Sequence, residues 1–265
     1  MKKMMTTTIL PDIQETKPSI KIKLNRVGIS KLKMPILISE KHGGFQHSVA
    51  DVSCHINLAA DKKGINMSRI PQHLQNGLNN PINSTILKNI ANKIRINSNA
   101  EVCQLKYEFD YFTWKLSPIT EIRGVLNHKI IFNVTVTEKY QKFVLSVQSI
   151  GTSLCPCSKE ISNFGAHNQK CYVTITVQPR TEIIWIEDII DIINKSVSCE
   201  IYSILKRPDE KYITEKAYSN PKFVEDVARH AYSLLITDTN IVNFKICVAS
   251  DESIHVHRAE AIIES

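Results

Sequence analysis

Residues 130–147 read IIFNVTVTEKYQKFVLSV, with apolar side chains at alternate positions on both sides of residues 138–141. The alternation runs through Ile130–Val136, stops, and resumes through Phe143–Val147. A period of two is typical of a β-strand with one buried face. This stretch therefore predicts two strands, and residues 138–141 are the predicted boundary between two halves of the chain.

Working outward from this boundary, the same order of elements is predicted on each side. Alternation predicts strands at 20–29, 48–58, 103–109, 130–136, 143–147, 171–177, 242–248 and 254–262. Helical spacing predicts helices after Met67, at 84–96, at 186–197 and from Asn220–Pro221 to Leu235. The order strand, strand, helix, helix, strand, strand occurs twice, which predicts an α+β fold of antiparallel sheets with two helices packed on one face. The predicted divisions are an arm at 1–18 and domains at 19–139 and 140–265.

The composition limits the classes of protein. The chain has 265 residues, 43% of them apolar, a net charge of +7 and 7 cysteines, and it contains no glycine-rich phosphate loop. The charge favours an anionic partner without selecting one. An odd number of scattered cysteines and no apolar signal region or membrane-length run predict a soluble, cytoplasmic protein with free thiols.

Residues 153–170, SLCPCSKEISNFGAHNQK, concentrate reactive side chains. Cys155 or Cys157 can supply a thiolate and His167 an imidazole. Nucleophile, base and metal ligand all remain open from spacing alone, and a buried inert thiol or a solvated loop histidine is the more common outcome for such residues.

Other polar residues extend the candidate set. His255 and His257 lie two apart in a predicted strand, which places both on one sheet face, although a polar outer face explains them equally well. Residues 206–211, KRPDEK, resemble a solvated turn in which Pro208 ends the preceding helix. With Glu210, the cysteine and histidines form a mixed set that suits a transition metal, but the spacing matches no known finger.

Five segments in this order resemble the type IB GTP cyclohydrolases, and the resemblance covers nearly all of the chain after the first dozen residues. They are SLCPCSKEIS (153–162), GAHNQ (165–169), KRPDEK (206–211), NPKFVEDVAR (220–229) and ESIHVHRAEA (252–261), with KGINMSRI (63–70) and HSVADVSCHINL (47–58) upstream. The resemblance implies two tandem tunnelling-fold modules and a homotetramer. It also implies hydrolysis of GTP at C8 with release of formate, giving 7,8-dihydroneopterin triphosphate for tetrahydrofolate synthesis. In class terms, this is a hydrolase acting on cyclic amidines.

The resemblance also implies roles for individual residues. The metal set would be Cys155, His167, Glu210 and His255, holding zinc, manganese or ferrous iron. His167 or His255 would alternatively donate a proton, and Glu252 would orient His255 or move protons. Glu225 would anchor guanine through N1–H and the 2-amino group, whereas Cys157 has a supporting role. The cations for the triphosphate would be Lys159, Lys170, Lys206, Arg207 and Arg69.

One position departs from the family pattern. Asn66 replaces the histidine of KG-x-HMSR and cannot carry a proton at neutral pH, so an acid–base role there is in doubt. Rival functions are a tunnelling-fold nitrile reductase that uses NADPH, an archaeal-type cyclohydrolase with a cyclic phosphate product, and an RNA-binding module. The aromatic residues at 109–114 have few cations beside them, which disfavours RNA binding, and neither nucleic acid nor membrane is an expected partner.

Overall fold

The structure is a computed structural model that describes residues 13–75, 77 and 80–265. Of the predicted N-terminal arm, residues 1–12 lie outside the described residues. Ile13–Glu15 form a 3₁₀ turn. Backbone hydrogen bonds from Lys63 to Thr16 and from Gly64 to Gln14 hold this part of the chain against the loop after the second strand.

Within the described residues, nine strands form one antiparallel sheet. They are β1 (Leu24–Ser39), β2 (Phe45–Leu58), β3 (Val102–Leu116), β4 (Arg123–Thr137), β5 (Gln141–Leu154), β6 (Asn168–Pro179), β7 (Cys199–Glu200), β8 (Ile241–Asp251) and β9 (Arg258–Glu264). The order across the sheet is β1-β2-β3-β4-β5-β6-β8-β9, and the short β7 pairs with β5. The prediction of antiparallel pairing is confirmed.

Six helices lie in the described part of the chain, and four of them pack on the apolar side of this sheet. The six are α1 (Arg69–Gln75), α2 (Ser84–Asn97), α3 (Pro156–Ile161), α4 (Ile186–Ser196), α5 (Arg207–Ser219) and α6 (Val224–Leu235). Side chains from the alternating strand positions and from α1, α2, α4 and α6 form one continuous core. Burying each Leu or Ile there contributes about 1.5–3 kcal/mol. No helix in this described part is long and apolar enough to cross a membrane.

Two predicted strands begin later in the structure than the alternation predicts. The first begins at Leu24 and not at Ile20, whose side chain is 71% exposed and has no partner strand. The last begins at Arg258, because 253–257 form turns and bends. The prediction that His255 and His257 lie on a strand is therefore wrong.

The helical predictions for 206–235 also need correction. Pro208 does not end a helix but lies in the first turn of α5, where its missing N–H has no cost. Asn220–Pro221 is not a helix start, because Asn220 caps the C-terminus of α5 and α6 begins at Val224. Proline near a helix boundary marks either end, and the sequence pattern alone did not distinguish them.

The α+β class with an antiparallel sheet is confirmed. β4 pairs directly with β5 across the predicted boundary, through partners such as Ile130 and Val147, so the sheet is continuous there. The division at residues 139 and 140 therefore stays a prediction.

Candidate active site

Cys155 and His167 lie side by side at one end of the sheet. Cys155 follows the last residue of β5, His167 precedes the first residue of β6, and the Cys155 N–H donates to the His167 carbonyl at 3.1 Å. The α3 turn between them begins at Pro156. Gly165, with φ +69°, permits the chain to turn back towards β6. The local fold thus brings together the backbones of two residues that lie twelve positions apart in the sequence, one carrying a thiol and the other an imidazole.

The Cys155 side chain lies at the start of α3. Its Sγ is 3.4 Å from the Ser158 N–H, which donates to it, and the residue is partly exposed. Cys157 is exposed, and Cys171 is fully buried on β6. Burial, with a further contribution from the Glu252 charge, raises the pKa of the Cys171 thiol to about 12. Cys171 is therefore protonated at neutral pH and is a poor ligand or nucleophile.

A chain of polar contacts holds the His167 ring. Its Nδ1 lies 2.8 Å from Gln169 Oε1 and 3.8 Å from Glu252 Oε2, and Gln169 Nε2 donates to Glu252 Oε1 at 3.3 Å. Sequence reasoning assigned Glu252 to His255, but its carboxylate faces His167 and Gln169. Gln169 was missed, although a residue two positions after His167 at a strand start is expected on the same side.

His255 is in the turn that follows Glu252. The His255 N–H donates to the Glu252 carbonyl at 3.3 Å, and the His255 and His257 rings stack at 4.9 Å between centroids. Both histidines are exposed. The turn that carries His255 is therefore joined through Glu252 to the end of the sheet where His167 lies.

Glu210 is exposed in the first turn of α5, next to the buried Asp209. The Asp209 carboxylate accepts hydrogen bonds from the N–H groups of Ile119, Thr120 and Lys206 and from the Thr120 hydroxyl. Burial by itself would raise the pKa of Asp209, but these hydrogen bonds outweigh it and hold the pKa well below its usual range. Asp209 therefore fixes the start of α5 to the β3–β4 turn.

Asp209 is a second residue that sequence reasoning missed. In a capping box, an acidic residue lies three positions after the N-cap, which here is Lys206. This pattern is detectable once Pro208 is placed at a helix start.

The structure places Glu225 near the same end of the sheet. Glu225 is exposed in the first turn of α6. The preceding segment is held to β5, because the Lys222 N–H donates to the Leu154 carbonyl at 3.0 Å and the Ser153 hydroxyl donates to the Lys222 carbonyl at 2.8 Å. Leu154, the residue before Cys155, is thus hydrogen-bonded to the segment that leads into the helix carrying Glu225.

The predicted phosphate-binding cations do not form one group. Lys159 donates to the Tyr218 carbonyl at 2.6 Å and lies over the Tyr218 ring. Lys206, Arg207 and Lys170 are exposed. Arg69 lies at the start of α1, in a separate cleft of about 270 Å³ that it lines with Lys62, Asn66 and Asn99, among others.

The predicted metal set is not assembled within this chain. Across 13–75, 77 and 80–265, no group of three or more His, Cys, Asp or Glu side chains is placed to hold a metal ion. Cys155 and His167 fit a transition metal by chemistry and by adjacency, whereas Glu210 and His255 fit by chemistry alone.

A family model described as type I GTP cyclohydrolase folE2 matches residues 10–261. The chain belongs to this family. Among its relatives is the GTP cyclohydrolase FolE2 of Thermotoga petrophila, which is 42% identical over 255 residues, covering 96% of this chain and 97% of the relative. The GTP cyclohydrolase FolE2 of Aromatoleum aromaticum is 37% identical over 256 residues, covering 96% and 93%.

Solved structures of urate oxidases show the same fold as this FolE2 family member. Urate oxidase from Bacillus sp. TB-90 aligns with a TM-score of 0.54 at 10% identity, covering 91% of this chain and 99% of that one. Urate oxidase from Bacillus subtilis 168 aligns with a TM-score of 0.51 at 9% identity, covering 91% and 98%. At such low identity the likeness shows the tunnelling fold and carries no conclusion about chemistry.

Proposed function

We propose that this protein is a metal-dependent GTP cyclohydrolase of the type IB subdivision. It hydrolyses the imidazole ring of GTP at C8, releases formate and forms 7,8-dihydroneopterin triphosphate for tetrahydrofolate synthesis, as a cytoplasmic hydrolase acting on a cyclic amidine. Membership of the FolE2 family supports this proposal. The structural observation that carries it is the pairing of Cys155 with His167 at the adjoining ends of β5 and β6.

Cys155 and His167 would hold the divalent ion, with Glu210 and His255 completing the set. Zinc, manganese and ferrous iron all accept thiolate, imidazole and carboxylate ligands. A divalent ion bound there would make hydroxide available near neutral pH, because coordination lowers the pKa of water from about 15.7 to about 7.

Protein side chains would bind and orient the purine. The Glu225 carboxylate can accept two parallel hydrogen bonds from guanine N1–H and the 2-amino group, which adenine does not offer. Alternatively, one of His167 and His255 would stay outside the metal set and protonate N7 as the ring opens, since an imidazole suits acid catalysis near neutral pH. The triphosphate would be bound by four cationic side chains, those of Lys159, Lys170, Lys206 and Arg207.

A site shared between copies of the chain would explain why Arg69 and Asn66 lie in a separate cleft. Two further features support self-association of the chain, for which a homotetramer is the proposed form. In the described sheet, β1 and β9 each pair on one side only, and such edges favour pairing with another chain. Phe164 and Val256, in loops next to His167 and His255, are 93% and 107% exposed. Apolar side chains this exposed are typical of a contact surface.

The test is to incubate purified protein with GTP and Mn²⁺, before and after chelation, and to measure formate and pterin fluorescence. We expect both products with metal, their loss on chelation and their return when metal is restored. No pterin with Mn²⁺, Zn²⁺ or Fe²⁺ would overturn the proposal. Mass spectrometry of the product separates a linear triphosphate from the cyclic phosphate of an archaeal-type enzyme.

A further inference from the structure

The contacts of His167 determine which of its ring nitrogens carries the proton. A carboxylate oxygen only accepts hydrogen bonds, so the Gln169 group that faces Glu252 Oε1 at 3.3 Å is the NH₂. The Gln169 amide oxygen is thereby directed at His167 Nδ1, 2.8 Å away. The second Glu252 oxygen lies 3.8 Å from the same nitrogen. Both groups that face Nδ1 are acceptors, so Nδ1 carries the proton.

The opposite ring nitrogen is left with its lone pair. Among the described residues, no hydrogen bond engages His167 Nε2. A neutral imidazole protonated at Nδ1 presents an unprotonated Nε2, which is the form that binds a metal ion. The arrangement is therefore directional, since exchanging the protonated and unprotonated nitrogens would set the Nδ1 lone pair against two acceptors.

The groups that impose this direction are themselves held in place. Gln169 is 8% exposed, and its backbone pairs with Ser153 in the β5–β6 ladder. The side chains of His167 and Glu252 are each 14% exposed. Glu252 follows β8 directly, with its N–H donating to the Ser250 carbonyl at 3.0 Å. Little water competes at these atoms, so the hydrogen bonds are stronger than they would be at the surface.

We propose that Gln169, fixed by Glu252, is a positioning residue that holds His167 as the Nδ1–H tautomer and keeps Nε2 available as a ligand. The metal-binding consequence rests on the proposed function, whereas the tautomer does not. Hydrogen-bonded partners of ligating histidines commonly change metal affinity by about 10–100-fold when they are removed.

The first measurement is ¹⁵N–¹H long-range NMR on metal-free protein labelled at its histidine rings. The His167 signals are assigned by their loss in His167→Asn. We expect the wild-type ring to be protonated at Nδ1 and unprotonated at Nε2. An Nε2–H tautomer would overturn the proposal, whether or not the protein turns over GTP.

The second measurement compares Zn²⁺ affinity by calorimetry. Gln169→Leu removes the acceptor and should mix the two tautomers and weaken Zn²⁺ binding by about 10–100-fold. The double variant Gln169→Glu with Glu252→Gln exchanges the two functional groups and again directs an acceptor at Nδ1. It should restore the Nδ1–H tautomer and bring affinity to within about tenfold of wild type.

Gln148→Leu is the matched control. Gln148 also forms a side-chain hydrogen bond between β5 and β6, to Thr174 at 3.0 Å, but it is remote in sequence from His167. The Gln148→Leu variant should leave the His167 tautomer and the Zn²⁺ affinity unchanged. If Gln169→Leu behaves like Gln148→Leu, the positioning role is wrong. If wild type binds no Zn²⁺ yet shows the Nδ1–H tautomer, the proposed metal site fails and the positioning of His167 stands.

Discussion

His128 and His167 are both held by hydrogen bonds, but the two rings have opposite accessibility. His128 is 3% exposed on β4, with Nε2 2.8 Å from the Thr113 hydroxyl and Nδ1 2.9 Å from the Ser149 hydroxyl. At His167 the contacts made by the described residues engage Nδ1 alone. A histidine ring with both nitrogens in hydrogen bonds has no nitrogen left to bind a metal ion. A ring held through one nitrogen is fixed in position and can still bind a metal ion through the other.

The neighbours of the two rings differ in the same way. Burial, with a smaller contribution from the Lys115 charge, lowers the pKa of His128 to about 4, so the ring is neutral and structural at pH 7. His167 instead lies at the end of the sheet, where its backbone carbonyl accepts a hydrogen bond from the Cys155 N–H. Burial alone therefore does not distinguish the two histidines, whereas the number of ring nitrogens held by hydrogen bonds does.

The largest expected effect is a loss of GTP turnover when Cys155, the neighbour of His167, is replaced. Cys155→Ala removes the proposed thiolate ligand and should lower GTP turnover by about 1,000-fold or more, because a bound metal would supply several kcal/mol and each 1.4 kcal/mol is about tenfold. Cys157→Ala, two residues away on an exposed position, is the control and should retain much of the activity. Steady-state assays of pterin formation check both. The reverse ranking would move the ligand to Cys157.

The second prediction concerns stability near His128. The unfolded ring, with a pKa of about 6.5, binds a proton in a pH range where the folded ring does not. The contribution of neutral His128 to the free energy of unfolding is therefore complete above about pH 6.5 and is lost as the pH falls towards 4. Between pH 7 and pH 5 this amounts to about 2 kcal/mol.

Urea unfolding at pH 7 and pH 5 measures this effect. Replacing the ring by His128→Gln should remove about 2 kcal/mol of the pH dependence, because glutamine does not titrate. Equal pH dependence in wild type and His128→Gln would show that this ring does not contribute.

The smallest effects compare two buried serines. Ser149→Ala leaves His128 Nδ1 without its partner and should cost about 1–3 kcal/mol. Ser250 is equally buried on β8, but its hydroxyl has no hydrogen-bond partner among the described residues. Ser250→Ala should therefore be neutral or stabilise by up to about 1 kcal/mol. Thermal unfolding of both variants measures the difference, and equal destabilisation would contradict it.

The sequence predicted the eight long strands and the helices α1, α2, α4 and α6, but it missed α3, α5 and β7, and it predicted the element ends poorly. Alternation at Ile130–Val136 and Phe143–Val147 was sufficient for β4 and β5, since a strand with one buried face must alternate. Prolines misled because Pro208 and Pro221 are compatible with either side of a helix boundary. His255 appeared to continue a strand, but the alternation of 254–262 is interrupted by a turn that only the pairing of β8 with β9 locates.

The sequence by itself determined the α+β class, the antiparallel strands and the candidate chemistry around Cys155, His167, Glu210, Glu225 and His255. The fold class and the strands follow from residue types and local spacing, whereas the roles of these five residues are what the resemblance to the type IB GTP cyclohydrolases implies. Only the tertiary structure decided that Cys155 lies against His167, that Glu252 and Gln169 face His167 Nδ1 and that Asp209 fixes α5 to the β3–β4 turn. The physical reason is that a hydrogen bond depends on atoms lying about 3 Å apart, and chain folding sets that distance between residues as remote in sequence as Gln169 and Glu252.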